Sequence, residues 1–421
     1  MKIKKITAKE ILDSRGNPTL ETTITLENGL LATSSVPSGA SVGKYEALEL
    51  RDNEPTRYRG MGVLKAVENV NKIIGPKLVG MEAKDQYQID KVLILLDGTE
   101  NKAKLGANAI LSVSQAVCKA GALEKGVPVF VYVSLLYGLQ EGKMKIPLPI
   151  FNLINGGKHG GGNLDFQEFH IIPSGEKSYW ENFKMGEEIY QEVKKVLIQQ
   201  KKTCNLGDEG GFAPNLATNS QALEILIKAI SRLGYQFNKD VFLGIDAAAG
   251  FFYKEKQYKI RDKPAPINLD ELIDYYQELN QQYPLKILED PVFEDDWEGW
   301  AKITKALPKT TIVGDDLLAT NKKRVQQAIK HKACSAIIIK PNQVGTITET
   351  LKVIKIAREA GWKIIVSHRS GETNDDFIAD FAVGVGADYV KFGAPSQKER
   401  LVKYNRLLKI SNDKASSSYH S

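Results

Sequence analysis

The second half of the chain repeats one pattern, a short apolar run that ends in a polar residue and is followed by a segment with helical periodicity. Six such runs end, in chain order, at Asp246, Glu289, Asp316, Lys340, His368 and Lys391. Near-continuous Ile, Val and Leu runs are typical of strands buried on both faces, which indicates parallel strands joined by right-handed helical crossovers. The pattern therefore predicts six successive βα units.

Two earlier apolar runs, at 148–154 and 165–172, raise the number of strands to eight, which is the number that closes a barrel of this kind. Only about ten glycine-rich residues join these two runs, fewer than a parallel crossover normally needs, so we expect an antiparallel hairpin. Helical patterns at 179–200 and 220–233 follow. We therefore predict an irregular ββαα(βα)6 barrel of the TIM type.

The residues before the barrel have a different periodicity. Three alternating runs rich in β-branched residues lie within residues 1–36, and Asn28-Gly29 is a strong hairpin signal between the last two. From 62 to 137 the apolar residues recur at helical spacing instead. The chain is therefore predicted to be an α/β protein in two domains. An N-terminal α+β domain, a three-stranded meander plus helices, covers 1–138, and the barrel covers 139–421.

Composition and targeting signals narrow the class of protein. The 421 residues are 42% hydrophobic and 26% charged, as in ordinary globular proteins. Basic and acidic residues are interleaved with a net charge of +6, so nucleic acid is not expected as the main ligand. The N-terminus lacks the apolar core of a secretory signal, and the longest apolar run contains Pro128 and is too short to cross a bilayer. Three scattered cysteines fit a reducing compartment, so we expect a cytoplasmic protein without membrane association.

Carboxylates end three successive strands of the predicted barrel. The carboxyl ends of its strands converge on one face, so Asp246, Glu289 and Asp316 are expected to lie close together. A single acid at a strand end is most often a helix cap, but three together repel one another unless a cation neutralises them. Hard oxygen ligands without Cys or His select Mg²⁺. The sequence therefore predicts a magnesium site at this face.

The next strand ends carry basic and polar residues. A lysine beside a metal cation and a second lysine loses affinity for its proton, so Lys340 is a candidate neutral base; the alternative is that it only balances the acids. Arg369 offers two parallel donors to a phosphate or carboxylate, and Ser370 adds a hydroxyl. These residue types, with Lys391 on the last strand, predict an anionic substrate.

Loops contribute further candidates. Glu209 lies in the glycine-rich string NLGDEGGFAPN, where it is a candidate acid opposite Lys340, although the string alone could be only a turn. Glu168 is a second acid outside the metal set, in the string DFQEF. Two glycine loops, one with Ser41 and one with His159, are typical of lids that close over a barrel mouth.

Short strings along nearly the whole chain match one known family, in that family's order. They are LDSRGNPTLE, PSGAS, LGANAILSVS, NLINGGKH, QEF, GDEGGFAPN, LEDP followed by EDDW, VGDDL, NQVGTITET, SHRSGETND and KERLVKYNRLL. By these strings the chain closely resembles the enolase family, the phosphopyruvate hydratases.

The resemblance implies a Mg²⁺-dependent lyase that reversibly dehydrates 2-phosphoglycerate to phosphoenolpyruvate, a step of glycolysis and gluconeogenesis. It places Asp246, Glu289 and Asp316 on one Mg²⁺. It also places Ser41 on a second Mg²⁺ that arrives with the substrate. Two divalent cations would stabilise the negative charge that develops as the weakly acidic C2 proton leaves.

By the same resemblance, Lys340 would remove the C2 proton, and Glu209, with Glu168 near it, would protonate the departing C3 hydroxyl. The implied substrate-binding residues are Lys391 for the carboxylate, Arg369 and Ser370 for the phosphate, and His159, Gln167 and His368 along the pocket wall. The family also implies a homodimer or higher homo-oligomer, assembled through the N-terminal domain.

Two alternatives to this function are weaker. A different dehydratase or racemase of the superfamily would normally carry Lys-x-Lys on the second barrel strand, where this chain has Gln167-Glu168. A non-catalytic descendant kept for binding or scaffolding should have lost site residues, and none is missing. Among the departures from the family's usual pattern, Phe392 follows Lys391 where a threonine is usual. The lost hydroxyl is expected to alter substrate packing or rate.

Overall fold

The N-terminal domain is built on a small antiparallel sheet. The computed structural model describes residues 1–39, 43–139, 143–160 and 164–416, with side chains described up to residue 413. The strands β1 (Ile3–Leu12), β2 (Pro18–Leu26) and β3 (Leu31–Ser35) lie side by side in chain order. Gly29 has φ of 87° in the turn before β3, a left-handed conformation that glycine adopts without strain. The predicted meander is confirmed.

Helices follow this sheet along the chain. They are α1 (Leu64–Glu68), a π-helical segment (Asn69–Ile74), α2 (Gly75–Leu78), α3 (Gln86–Asp97), α4 (Ala107–Lys125) and α5 (Val129–Tyr137). Helix α4 packs across β2 and β3, and its many Ala, Ser and Gly residues are almost all buried. Small side chains let the helix lie close to the sheet, where Thr22 and Ser112 share a buried hydrogen bond of 2.7 Å.

Eight strands of the second domain close a barrel in the order β10-β11-β12-β13-β4-β5-β6-β9. The strands are β4 (Leu148–Asn155), β5 (Glu168–Pro173), β6 (Val241–Asp246), β7 (Tyr253–Lys254), β8 (Gln257–Tyr258), β9 (Leu285–Glu289), β10 (Thr311–Gly314), β11 (Ala336–Ile339), β12 (Lys363–Ser367) and β13 (Tyr389–Lys391), of which β7 and β8 form a separate hairpin. Strand β5 runs antiparallel to both β4 and β6, and the other barrel pairs are parallel. The predicted hairpin is confirmed.

Helices surround the barrel in the predicted order. They are α6 (Tyr179–Gln199), α7 (Asn219–Arg232), α8 (Leu269–Gln282), α9 (Trp297–Ala306), α10 (Lys322–His331), α11 (Ile347–Glu359), α12 (Phe377–Gly384) and α13 (Lys398–Ser416). Ser178 and Asn268 begin α6 and α8 with complete capping boxes, which satisfy backbone donors that a helix start leaves free. The architecture is therefore the predicted ββαα(βα)6 barrel joined to an α+β domain.

Side chains that point into the barrel form two layers. The apolar layer consists of Ile150, Ile172, Ile287, Val313, Ala336, Ile338, Ile365 and Tyr389. Side chains alternate along a strand, so the next inward position on a parallel strand lies two residues further along the chain. These further inward positions, which we call the polar layer, are Asp246, Glu289, Asp315, Lys340, Ser367 and Lys391. The polar layer lies at the carboxyl ends of the strands.

A partly buried ion pair joins the two domains. Lys119 on α4 lies 2.9 Å from both carboxylate oxygens of Asp375, which precedes α12 of the barrel domain. The same carboxylate accepts hydrogen bonds from the Ser34 hydroxyl and the Ser35 backbone N–H on β3. The β3 edge is thereby held against the barrel. In the part of the chain that the structure describes, every helix is too short or too polar to cross a membrane.

Candidate active site

One cavity opens at the carboxyl ends of the barrel strands. It is lined by Glu46, His159, Gln167, Glu168, Glu209, Asp246, Ala248, Asp290, Asp315, Asp316, Lys340, Ser367, His368, Arg369, Ser370 and Lys391. Most residues singled out in the sequence therefore lie around a single cavity. Two do not line it: Glu289 contacts one of its walls, and Ser41 lies outside the described residues.

Two of the predicted metal ligands meet at one ammonium group. Asp246 and Glu289 are neighbours across β6 and β9. The Nζ atom of Lys391 lies 2.8 and 2.9 Å from the two oxygens of Glu289 and 3.3 Å from Asp246 Oδ2. Burial raises the pKa of Asp246. Burial also raises the pKa of Glu289, and the nearby Asp246 raises it further because it repels a second negative charge. One ammonium does not fully compensate the two carboxylates.

The third predicted ligand, Asp316, has a neighbour in a more central position. Asp315 follows Val313 in the inward register of β10, and its carboxylate contacts the Lys340 ammonium and accepts a hydrogen bond of 3.2 Å from Gln343. Asp316 also lines the cavity, one residue out of this register. Strand alternation in the sequence points to Asp315. Ile287 and Val313 both face the barrel interior, and two residues after each comes an acid, Glu289 and Asp315.

Asp290 is a buried acid that the sequence prediction missed. Its carboxylate accepts the backbone N–H groups of Asp315 at 3.0 Å and Asp316 at 2.7 Å. Oxygens of these three acids lie within 4.8 Å of one another. Burial raises the pKa of Asp290 well above its usual value, and Asp316 and Asp315 add to the effect. Burial, and then repulsion from Asp315, raises the pKa of Asp316 to about 7.

A second group, His159, Glu168 and Glu209, also has ligand atoms within 4.8 Å of one another. Burial alone would raise the pKa of both glutamates. Lys391 outweighs burial at Glu168, and His368 and His159 outweigh it at Glu209, so both values lie below normal. Lys391 beside Glu168, and His159, whose pKa is raised, already compensate much of the charge of this group, whereas burial lowers the pKa of His368. Excess buried negative charge lies instead around Asp246, Glu289 and the aspartates that follow β10, which is where a divalent cation fits.

The protonation of Lys340 depends on its neighbours. Burial lowers the pKa of its ammonium, but the contact with Asp315 outweighs burial and raises the pKa above its usual value. The predicted neutral amine was argued for a lysine beside a bound cation, and it stays a prediction. A cation drawing charge from Asp315 would weaken the interaction that holds this proton.

Arg369 has a partner from the other domain. Its two terminal nitrogens lie 2.9 and 3.3 Å from the carboxylate of Glu46, and it also donates to Asn342 at 3.0 Å. Glu46 belongs to the N-terminal domain, so both domains build this cavity wall. Ser370 lies beside it, with its hydroxyl 3.3 Å from His159 Nε2. The sequence prediction missed Glu46, since no local pattern shows that its loop reaches the barrel.

Two residues near this wall, Arg400 and Phe392, do not line the cavity. Arg400 on α13 is fully buried and donates to the carbonyl groups of Arg369 and Ser370, each at 2.6 Å, which fixes the loop after β12. Phe392 points away from the cavity, because successive strand residues face opposite sides. Its ring packs edge-on against Tyr404 at 5.7 Å. Phe392 itself does not line the cavity.

Comparison with known sequence families agrees with this architecture. The family described as "Enolase, N-terminal domain" matches residues 3–133, and the family described as "Enolase, C-terminal TIM barrel domain" matches residues 143–421. The chain belongs to the enolase family. Enolase-family membership, together with acidic groups able to bind a metal ion, supports a lyase of the enolase superfamily that acts on a small molecule.

Proposed function

We propose that this enolase-family chain catalyses the reversible dehydration of 2-phosphoglycerate to phosphoenolpyruvate. The observation that carries the proposal is one cavity with two chemically different ends. A lysine, Lys340, lies at the end rich in uncompensated acids, and Glu209 lies at the end held by histidines. A base and an acid that share one cavity are what the removal of a proton and a hydroxyl from adjacent carbons requires.

We assign the first magnesium site to the inward acids of three neighbouring strands, Asp246, Glu289 and Asp315. Asp315 replaces the predicted ligand Asp316 in this set, because its side chain continues the inward register. The donor set contains only hard oxygen atoms, which suits Mg²⁺. When bound, the cation stabilises negative charge on the substrate carboxylate. Ser41 stays the proposed ligand of a second Mg²⁺ that arrives with substrate.

The residues of the chain carry out the proton transfers. Lys340 Nζ accepts the C2 proton, and the electron pair of the broken C–H bond stays on C2, delocalised into the substrate carboxylate. When the C3–O bond breaks, that pair forms the C2–C3 double bond. Glu209, assisted by Glu168, gives a proton to the C3 hydroxyl, which leaves as water. Since Glu209 is ionised in the protein alone, the negative charge of the bound substrate must raise its pKa before it acts.

The remaining predicted residues hold the substrate. Arg369 and Ser370 bind the phosphate, which must displace Glu46 from part of the guanidinium. Lys391 binds the carboxylate. His159, Gln167 and His368 complete the wall, with His368 fixed by a hydrogen bond of 2.8 Å to Arg400. We further propose a cytoplasmic homodimer or higher homo-oligomer, which sedimentation velocity of the purified protein would detect.

An absorbance assay tests the function directly. Purified protein with excess Mg²⁺ and 2-phosphoglycerate should produce a rise in ultraviolet absorbance from the new enol double bond. Folded protein without any such rise would falsify the proposal. The Glu209→Gln variant should keep exchange of the C2 proton with solvent but lose elimination of water. If exchange and elimination fall together, Glu209 positions the substrate and is not the acid.

A further inference from the structure

His170 is a buried imidazole to which no role has yet been given. It lies on β5 between Ile172 of the apolar layer and Glu168 at the cavity, in the same inward register. Its side chain is fully buried. The cavity walls do not include it, so His170 lies beneath the site and reaches the substrate only through a neighbour.

That neighbour is Glu168. The His170 Nε2 atom lies 2.8 Å from Glu168 Oε2. The other ring nitrogen, Nδ1, has no hydrogen-bond partner among the described residues and faces Gly244 on β6. A side-chain carbon on Gly244 would lie 3.3 Å from Nδ1, so no larger residue fits there without displacing the ring.

This environment selects one form of the ring. A charged imidazolium carries a proton on each nitrogen, and a proton on Nδ1 would be buried without an acceptor, which is costly. The neutral ring with its proton on Nε2 leaves only a weak acceptor unsatisfied. His170 therefore donates to Glu168 as a neutral imidazole.

The carboxylate of Glu168 is consequently held at both oxygens. Oε1 lies 3.3 Å from His159 Nδ1, and Oε2 lies 3.1 Å from Lys391 Nζ as well as next to His170. His159 belongs to a loop, and Lys391 on β13 is a proposed substrate ligand that also contacts Asp246 and Glu289. His170 contacts Glu168 from beneath the cavity, on the same strand.

We propose that His170 is a positioning residue, whose Nε2–H fixes the Glu168 carboxylate beside Lys391 and Glu209 during the elimination step. Its kinetic consequence rests on the proposed function, whereas the hydrogen bond itself does not. Outer partners that orient an active-site ligand typically contribute about 10–100-fold to activity. The loss is expected in turnover and not in substrate binding, because His170 touches no substrate.

Nitrogen NMR of the histidine-labelled protein tests the hydrogen bond without any substrate. The chain has five histidines, and the signal that disappears in His170→Gln identifies the ring. This ring should carry a proton on Nε2 and none on Nδ1. A proton on Nδ1, or on both nitrogens, overturns the proposal even if the enzyme proves fully active.

Kinetics of three variants test the positioning role. His170→Leu, which removes the donor, should lower kcat about 10–100-fold with KM changed less than about threefold, while C2 proton exchange continues. His170→Gln keeps a donor near Nε2 and should stay within about threefold of wild type. Ile172→Val, a truncation at the next inward position, should leave kcat unchanged.

Each opposite result counts against the role. Equal losses in the Leu and Gln variants indicate a packing effect, and wild-type turnover in His170→Leu removes the role altogether. If His170→Leu does not fold, the Gln variant and the NMR measurement still decide. If the wild-type protein does not act on 2-phosphoglycerate, the proposed function fails, and the NMR result alone decides on the hydrogen bond.

Discussion

The two inward layers of the barrel occupy the same strands, two residues apart, and have opposite energetics. The apolar layer removes aliphatic side chains from water, which stabilises the fold by roughly 25 cal/mol for each Å² buried. Two carboxylates of the polar layer, Asp246 and Glu289, have raised pKa values because burial and mutual repulsion outweigh the charge of Lys391. Such groups reduce the stability of the protein alone. One layer therefore holds the barrel together, while the other keeps charge available for a cation and a substrate.

Removing the base should have the largest effect on activity. Lys340→Ala is expected to lower kcat by about 10²–10⁴-fold, because Lys340 is the proposed acceptor of the C2 proton. Steady-state kinetics and C2 proton exchange would measure it. Lys352→Ala, an exposed lysine on α11, removes the same charge from the surface and should keep wild-type activity. Persistent exchange in Lys340→Ala would show that the base is another residue.

A truncation in the apolar layer should have the reverse effect. Ile338→Ala, two residues before Lys340, is expected to lower the free energy of unfolding by about 2–5 kcal/mol, since it leaves a cavity in a packed interior. Ile338→Val should cost only about 0.5–1.5 kcal/mol. Urea unfolding measures both, and kcat per folded molecule should stay unchanged. A large loss of kcat in the folded variant would mean that the layers are not separable.

The two aspartates that follow β10 test whether a metal ligand must lie in the inward register of the strand or only near the site. Asp315→Asn removes a proposed direct ligand and should weaken Mg²⁺ binding by more than about a hundredfold, beyond the usual effect of an outer partner. Asp316→Asn should weaken it by about tenfold or less. Titration calorimetry gives both affinities. If the order of the two variants is reversed, Asp316 is the ligand, as the sequence prediction had it.

Much of this molecule could be predicted from local patterns. The six strand endings predicted the barrel, and the short connection between the first two barrel strands predicted its antiparallel hairpin. The choice between Asp315 and Asp316 required counting inward positions from Ile287 and Val313. The metal prediction relied instead on the end of the apolar run.

Contacts between distant segments were beyond local patterns. Glu46 reaches Arg369 from the other domain, and Arg400 reaches the loop after β12 from α13. Neither contact leaves a periodic signal. The raised pKa of Lys340 likewise depends on which neighbour its ammonium touches, and only the folded chain shows that it is Asp315.

A partly buried carboxylate outside the barrel interior, Asp375, shows that good pairing can lower a pKa that burial would raise. Burial would raise the pKa of Asp375. Lys119 and the hydrogen bonds that the Asp375 carboxylate accepts lower this pKa below the usual 3.8. The unfolded chain then binds the proton more tightly. The stabilisation is therefore complete well above pH 3.8 and is lost as the pH falls through the folded-state value.

The Asp375→Asn variant should accordingly lose about 1–2 kcal/mol of stability at neutral pH, and the difference from wild type should shrink in acid. Urea midpoints at neutral and acidic pH measure it. Asp376→Asn is the matched control. It removes the same charge at the next residue, and the Asp376 side chain makes no capping hydrogen bond. A difference that grows in acid would contradict the lowered pKa. It would place this ion pair with the polar layer, among charges that reduce stability.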